Sequence, residues 1–227
     1  MTEVWRIRIS IVATYPIVHL KKLSVLRHTH SQTNHTDILV RQYHLMTDLE
    51  FVREQVESVF EGEVIYDLPA PGATEASMVR CREMCAENLC GNYGKSCTCP
   101  PNSDPIDICL QRLQSFSKAM LVIKKYTVDL KDKEKTEVCL SEMQRICRDI
   151  HVSLSGSNIR NLPLADGPCR YCANCACDEG RGCRFPQFQV SSVSPYGIMI
   201  NEYLESVGIP PEPVGESITL YGFVLYD

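Results

Sequence analysis

The sequence has no long apolar run. No stretch approaches the ~18 residues a membrane-spanning helix needs, and the best, residues 11–20, is broken by Pro16 and His19. A soluble protein with no membrane span is expected. No secretory leader is expected either, because the N-terminus lacks a long apolar core ending at a small-residue cleavage site. Positive charge is not in excess. The net charge is −5 and the pI about 5.7, which excludes a nucleic-acid binder that works through a basic surface. Nor does the chain contain a G-x-x-x-x-G-K-[ST] loop, a G-x-G-x-x-G turn or a G-x-S-x-G elbow, so no recognisable nucleotide site or hydrolase nucleophile stands out.

Cysteine is abundant, at 13 of 227 residues. A secreted disulfide scaffold is usually short, whereas this chain is long enough, and apolar enough at 44% hydrophobic residues, to fold on a packed core. The odd count would leave one thiol over if all were paired. Metal ligation is therefore the leading explanation.

The first 45 residues read differently from the rest. They hold six Lys/Arg against two acids, and five of the six histidines, but no cysteine. His28, His30 and His35 lack helical or knuckle spacing, so they do not read as metal ligands. Residues 1–45 are expected to be a basic extension, dispensable, a transit segment or a misassigned start, with a cysteine-rich domain over residues 46–227. Met46 resembles a natural N-terminus, with Thr47 and Glu50 in a capping-box pattern.

From there helix and strand alternate. Helices are expected over residues 48–60 and 136–150, from Asp104 and Pro105 as cap and first turn, and from Pro195 to a stop at Gly208. Strands are expected over residues 63–68, 119–128 and 218–226. The fold class that follows is α+β, a small mixed sheet covered by helices, with two cysteine-rich metal-binding loops.

The second cysteine group carries the stronger signal. Cys169, Cys172 and Cys175 are each spaced by two residues, and Cys183 follows with Cys177 between. Overlapping spacing of this kind lets one loop give thiolates to three irons of a [4Fe–4S] cluster. The ferredoxin position for a fourth cysteine holds Glu179, so Cys183 is the expected closing ligand and Cys177 the other candidate. Zinc is the alternative, though structural zinc usually takes two separated knuckles. The first group, Cys81, Cys85, Cys90, Cys97 and Cys99, is less diagnostic by spacing alone. Gly91 and Gly94 permit a tight loop there, and Pro100 and Pro101 stop a helix. Arg80, Arg82, Lys95, Arg170, Arg181 and Arg184 flank the two groups and would offset anionic thiolates. Cys109, Cys139 and Cys147 lie on apolar helix stripes and read as buried thiols. His151, placed just past a helix, reads as a cap or a solvated residue.

The pattern Cys85-x4-Cys90, Tyr93-Gly94-Lys95 and Cys99-Pro-Pro is followed by Gly-Pro-Cys169-x2-Cys172-x2-Cys175 and Cys183-Arg-x-Pro186. It resembles a family of uncharacterised cysteine-rich proteins of bacteria and archaea described only as predicted metal-binding. The Ser194-Pro-Tyr-Gly197-Ile198 stretch is similar to that family's segment after the second group, and the resemblance spans roughly residues 79–227. Cys81, Cys97 and Cys177 are additional to the pattern. The resemblance implies metal binding and a cytoplasmic location, and it supplies no reaction.

The expected function is a cytoplasmic iron–sulfur protein that passes electrons to or from a partner enzyme. Two [4Fe–4S] clusters are expected, one on Cys169, Cys172, Cys175 and Cys183, the other on Cys85, Cys90 and Cys99 with Cys81 or Cys97. The alternatives are an enzyme whose cluster is held by three cysteines and keeps an open iron for a small substrate, and a structural zinc module for protein interactions.

Overall fold

The computed structural model describes residues 48–129, 131–212 and 217–227. The expectations for residues 1–45 and for a Thr47 cap fall outside those residues. In chain order the regular elements begin with helix α1 (Asp48–Glu57), strand β1 (Glu63–Pro69), helix α2 (Glu75–Ala86) and helix α3 (Ile106–Gln114). Strand β2 (Lys118–Tyr126), helix α4 (Lys133–Gly156), strand β3 (Asn161–Ala165) and strand β4 (Ser191–Ser192) follow. Helix α5 (Ile200–Ser206) and strand β5 (Ile218–Tyr226) close the chain. Five helices and a five-stranded mixed sheet among the described residues make the fold α+β.

The sheet order is β1-β2-β5-β3-β4, antiparallel throughout except for the parallel pair β3–β4. Strands β2 and β5 are apolar on both faces, which is why they occupy the middle. Side chains alternate across a strand, and two cores result. Met120, Val122, Leu220, Val224 and Tyr226 face Val52 and Val56 of α1 and the Met143, Ile146, Cys147 and Ile150 stripe of α4. Ala119, Leu121, Tyr221, Phe223 and Leu225 face Met78 of α2, Cys109 and Leu113 of α3, and Tyr203 and Leu204 of α5. Helices thus cover both faces. Gly222 has no side chain for steric reasons: a Cβ there would meet the Cys147 sulfur at 2.2 Å.

Several local expectations change. Helix α2 runs straight into the first cysteine group, capped by a reciprocal Thr74–Ser77 box. Pro105, not Asp104, takes the cap position of α3, and the Asp104 carboxylate instead accepts from Arg112 at 2.8 Å. The Pro195 segment is a short 3-10 turn, with α5 starting only at Ile200. His151 lies within α4 rather than beyond it.

Two connections position the cysteines. Parallel strands cannot be joined by a hairpin, so the chain leaves the C-terminal end of β3 and makes a long excursion over residues 166–190 before returning as β4. That excursion carries Cys169 to Cys183. The first group spans the end of α2 and the loop from it to α3.

Candidate metal centre

The excursion after β3 is irregular apart from two 3-10 turns, so its shape comes from side chains that pin it. Helix α4 supplies three at i, i+4 and i+7. The wholly buried Gln144 donates through Nε2 to the Gly167 carbonyl at 2.9 Å. The Arg148 guanidinium lies 5.1 Å from the centre of the Tyr171 ring. His151 contacts the Gln187 carbonyl through Nε2 at 3.1 Å and Asn161 Oδ1 through Nδ1 at 2.6 Å. Tyr171 in turn stacks on Phe188 at 5.0 Å and meets Phe185 edge-on at 5.4 Å. A cation over an aromatic face and paired rings each add modest, directional stability.

Within this frame Cys169, Cys172, Cys175 and Cys183 line one small pocket together with Cys97, Tyr171 and Phe185. All four are half-buried and reduced. Burial pushes the Cys183 thiol up from its ordinary range, and its three neighbours Cys169, Cys175 and Cys172 push it further, because thiolates crowded together repel. The Cys183 thiol therefore resists ionisation in the metal-free chain. A bound metal inverts that balance and deprotonates coordinating thiols outright.

The first group brings Cys85, Cys90 and Cys99 together. Burial, then the Cys90 and Cys85 thiols, hold the Cys99 thiol up at about 12, and Arg170 from the other loop opposes them. The Cys85 thiol is raised by burial, with Ser194 donating to it and Arg82 opposing the shift. Cys81 sits one turn before Cys85, buried, with its sulfur 3.4 Å from the Met199 sulfur. Of the flanking cations, Arg80, Arg82 and Arg170 act on thiols, while Arg181 pairs with Glu179 and Arg184 donates to the Asn174 carbonyl.

The two groups are joined through Cys97-Thr98-Cys99. Thr98 Oγ1, buried against Ser96 Oγ at 3.0 Å, accepts the Cys169 N–H at 2.9 Å. Cys97 faces the second pocket and Cys99 belongs with the first set. Cys97 is disulfide-bonded to Cys177, so neither of these two is a free ligand in this state. The sulfurs of Cys97, Cys175 and Cys177 lie within 4.8 Å of one another, close enough to share a metal ion once the bridge is reduced. Cys109, Cys139 and Cys147 are buried in the two cores, and Arg82 beside the first group also donates to the Cys109 sulfur at 3.5 Å.

Gln144 and Arg148 escaped sequence reasoning, and His151, expected as a cap or a solvated residue, instead holds the loop through the Gln187 carbonyl. Their signal was a polar i, i+4, i+7 row beside the apolar stripe of α4, which points to a helix face that holds a loop. Among the described residues no helix is long and apolar enough to cross a membrane. No curated protein and no solved structure matches the chain. The family described as "Predicted metal-binding protein (DUF2284)" matches residues 76–226, well over half of the sequence, and the chain belongs to that family.

Proposed function

We propose that this member of the predicted metal-binding family is a cytoplasmic iron–sulfur protein that passes electrons to or from a partner enzyme. Cys169, Cys172, Cys175 and Cys183 hold one [4Fe–4S] cluster, and Cys85, Cys90 and Cys99 with Cys81 hold a second. The observation that carries this reading is the single pocket lined by all four thiols of the second loop. Its chemistry fits a thiolate-ligated cluster, whose potential responds to nearby cations, hydrogen bonds and burial. Arg148 over Tyr171 and the Cys169 N–H bond to Thr98 fix the loop around it. The boundary at residue 46 belongs to this proposal, with the metal sites in residues 46–227.

A second reading applies to the first group. Cys81 turns its sulfur to Met199, which favours a cluster held there by Cys85, Cys90 and Cys99 alone. The open iron would bind a small substrate as a Lewis acid.

The test is to purify the protein without oxygen and measure iron, acid-labile sulfide and zinc together with visible absorbance. Brown protein with iron and sulfide in equal amounts is expected. A colourless preparation with stoichiometric zinc after anaerobic reconstitution would replace the electron-transfer reading with a structural zinc module.

A further inference from the structure

Two of the three sulfurs that crowd together between the loops are bonded to each other. The Cys97–Cys177 disulfide joins the first loop to the second across 80 residues of sequence, and the Cys175 sulfur stands 3.6 Å from that of Cys97. A disulfide sulfur carries no thiolate charge, so while the bridge is in place this trio offers a metal one thiolate at most. Cys175 also lines the pocket of Cys169, Cys172 and Cys183. One thiol therefore borders both a disulfide and a ligand set. A free thiol within reach of a disulfide sulfur is the arrangement that thiol–disulfide exchange requires.

We propose that Cys97, Cys175 and Cys177 form an internal thiol–disulfide exchange centre, and that the position of its bridge decides whether Cys175 is available to the metal. In the exchange step Cys175 loses its proton to water and its thiolate attacks the Cys97 sulfur. The Cys97–Cys175 bond forms as the Cys97–Cys177 bond breaks. The electron pair of the broken bond leaves on Cys177, which takes up a proton. One disulfide and one thiol are present before and after, so no oxidant or reductant is consumed. The first isomer keeps the four-thiol pocket intact, and the second removes Cys175 from it. A metal held through Cys175 binds only the first isomer and pulls the exchange toward it by mass action. In a reducing compartment the disulfides that do occur are mostly transient and redox-sensing, and this bridge would report metal occupancy through its own position. The inference rests on the proposed function only in taking Cys175 as a ligand; the exchange itself belongs to the metal-free chain.

The experiment strips the full-length protein of metal with a chelator in the absence of thiol reductant and incubates it for hours. It is then acid-quenched, alkylated and digested. Mass-spectrometric fragmentation between Cys175 and Cys177 reads which of them is bonded to Cys97. Both isomers are expected in metal-free wild type, and Cys97–Cys177 alone in Cys175→Ser. Zinc ion at about 100 times its dissociation constant should lower the ratio of the Cys97–Cys175 isomer to the Cys97–Cys177 isomer about a hundredfold, the factor for a ligand bound by one form only. Cys177→Ser, oxidised with glutathione disulfide, should bridge Cys97 to Cys175 and bind less zinc in the second pocket. Metal-free wild type that keeps only the Cys97–Cys177 bridge, with Cys175 alkylated throughout, would overturn the proposal. An isomer ratio indifferent to zinc would overturn its link to metal. Protein that exchanges normally but assembles no iron would count against the cluster and not against the exchange centre.

Discussion

The two cysteine loops rest on different kinds of support. The first starts on a helix: Cys81 and Cys85 follow Met78 at i+3 and i+7 on α2, and Met78 is fully buried in the core against the sheet. Backbone hydrogen bonds and apolar packing thus place at least part of the first cysteine group without help from any metal. The second loop is an excursion between parallel strands with no α-helix of its own. Polar and aromatic side chains reaching over from α4 hold it instead. Regions with few buried apolar contacts open at lower free energy than the core, and metal binding then contributes folding energy directly. On the proposed two-site reading, the fold builds the first site and a metal completes the second.

Breaking one ligand in each loop tests that contrast with the largest effect. Cys172→Ser should remove the metal of the second loop, about half of the total iron, since serine is a poor substitute for a thiolate. Cys90→Ser should remove the other half. Hydrogen exchange over residues 167–190 should rise in Cys172→Ser, while α2 stays protected in both variants. Cys139→Ser, on the core-facing side of α4, should leave iron unchanged. Loss of all iron from either ligand variant, with the fold intact by circular dichroism, would mean that the loops share one site.

The next test concerns the support of the first loop alone. Gly197, the end of the Ser194-Pro-Tyr-Gly197 stretch, has φ +67°, and a Cβ there would lie 2.8 Å from the Met78 backbone nitrogen and 2.7 Å from Ser77 Oγ. Gly197→Ala combines a left-handed backbone with overpacking against α2, a cost of about 2–4 kcal/mol. Denaturant unfolding should show that loss. Iron should drop at the first site, because α2 carries Cys81 and Cys85, and stay at the second. An equal loss at both sites would show that the loops are not supported independently.

These contrasts also explain what could be read from the residues alone. Strands β2 and β5 and helices α1 and α4 announce themselves through apolar runs and periodicity. Helix α2 does not, because its inward face holds only Met78 and Cys81 and its cysteines read as ligands rather than as core. Strand β3 hides behind Pro163, a residue that argues against a strand. It is tolerated because β4 is only two residues long and lies opposite Leu164 and Ala165, so the missing N–H of Pro163 forfeits no bond on that side. Within the candidate site, local spacing was informative and long-range pairing was not. Cys169, Cys172 and Cys175 stand out by their interval, and Cys183 follows on the same loop. The Cys97–Cys177 bridge spans 80 residues, and disulfide connectivity over such a distance cannot be deduced from cysteine positions.

The smallest predicted effect probes the polar base of the second loop. Asp166 is the first residue after β3, and its Oδ2 accepts the Tyr221 N–H at 2.8 Å. Burial pushes its carboxyl up to about 6, and the Tyr221 bond only partly opposes that shift. An unfolded aspartate titrates near pH ~3.9. Between about pH 4 and 6 the folded chain therefore holds a proton that the unfolded chain has released, and stability falls as pH rises through that window. At neutral pH the buried charge costs about 2–3 kcal/mol by this linkage. Asp166→Asn keeps an oxygen to accept from Tyr221 and removes the charge. It should match wild type near pH 4 and exceed it in stability at pH 7 by up to that amount. Glu142 and Asp227 have lowered carboxyl pKa values and slope the other way, but they are common to both proteins and cancel in the difference. Urea unfolding of metal-free protein at pH 4, 5, 6 and 7 measures it. Parallel curves for the two proteins would show that Asp166 titrates in the folded chain as it does in the unfolded one, and that the anchor of the second loop is wetter than its contacts imply.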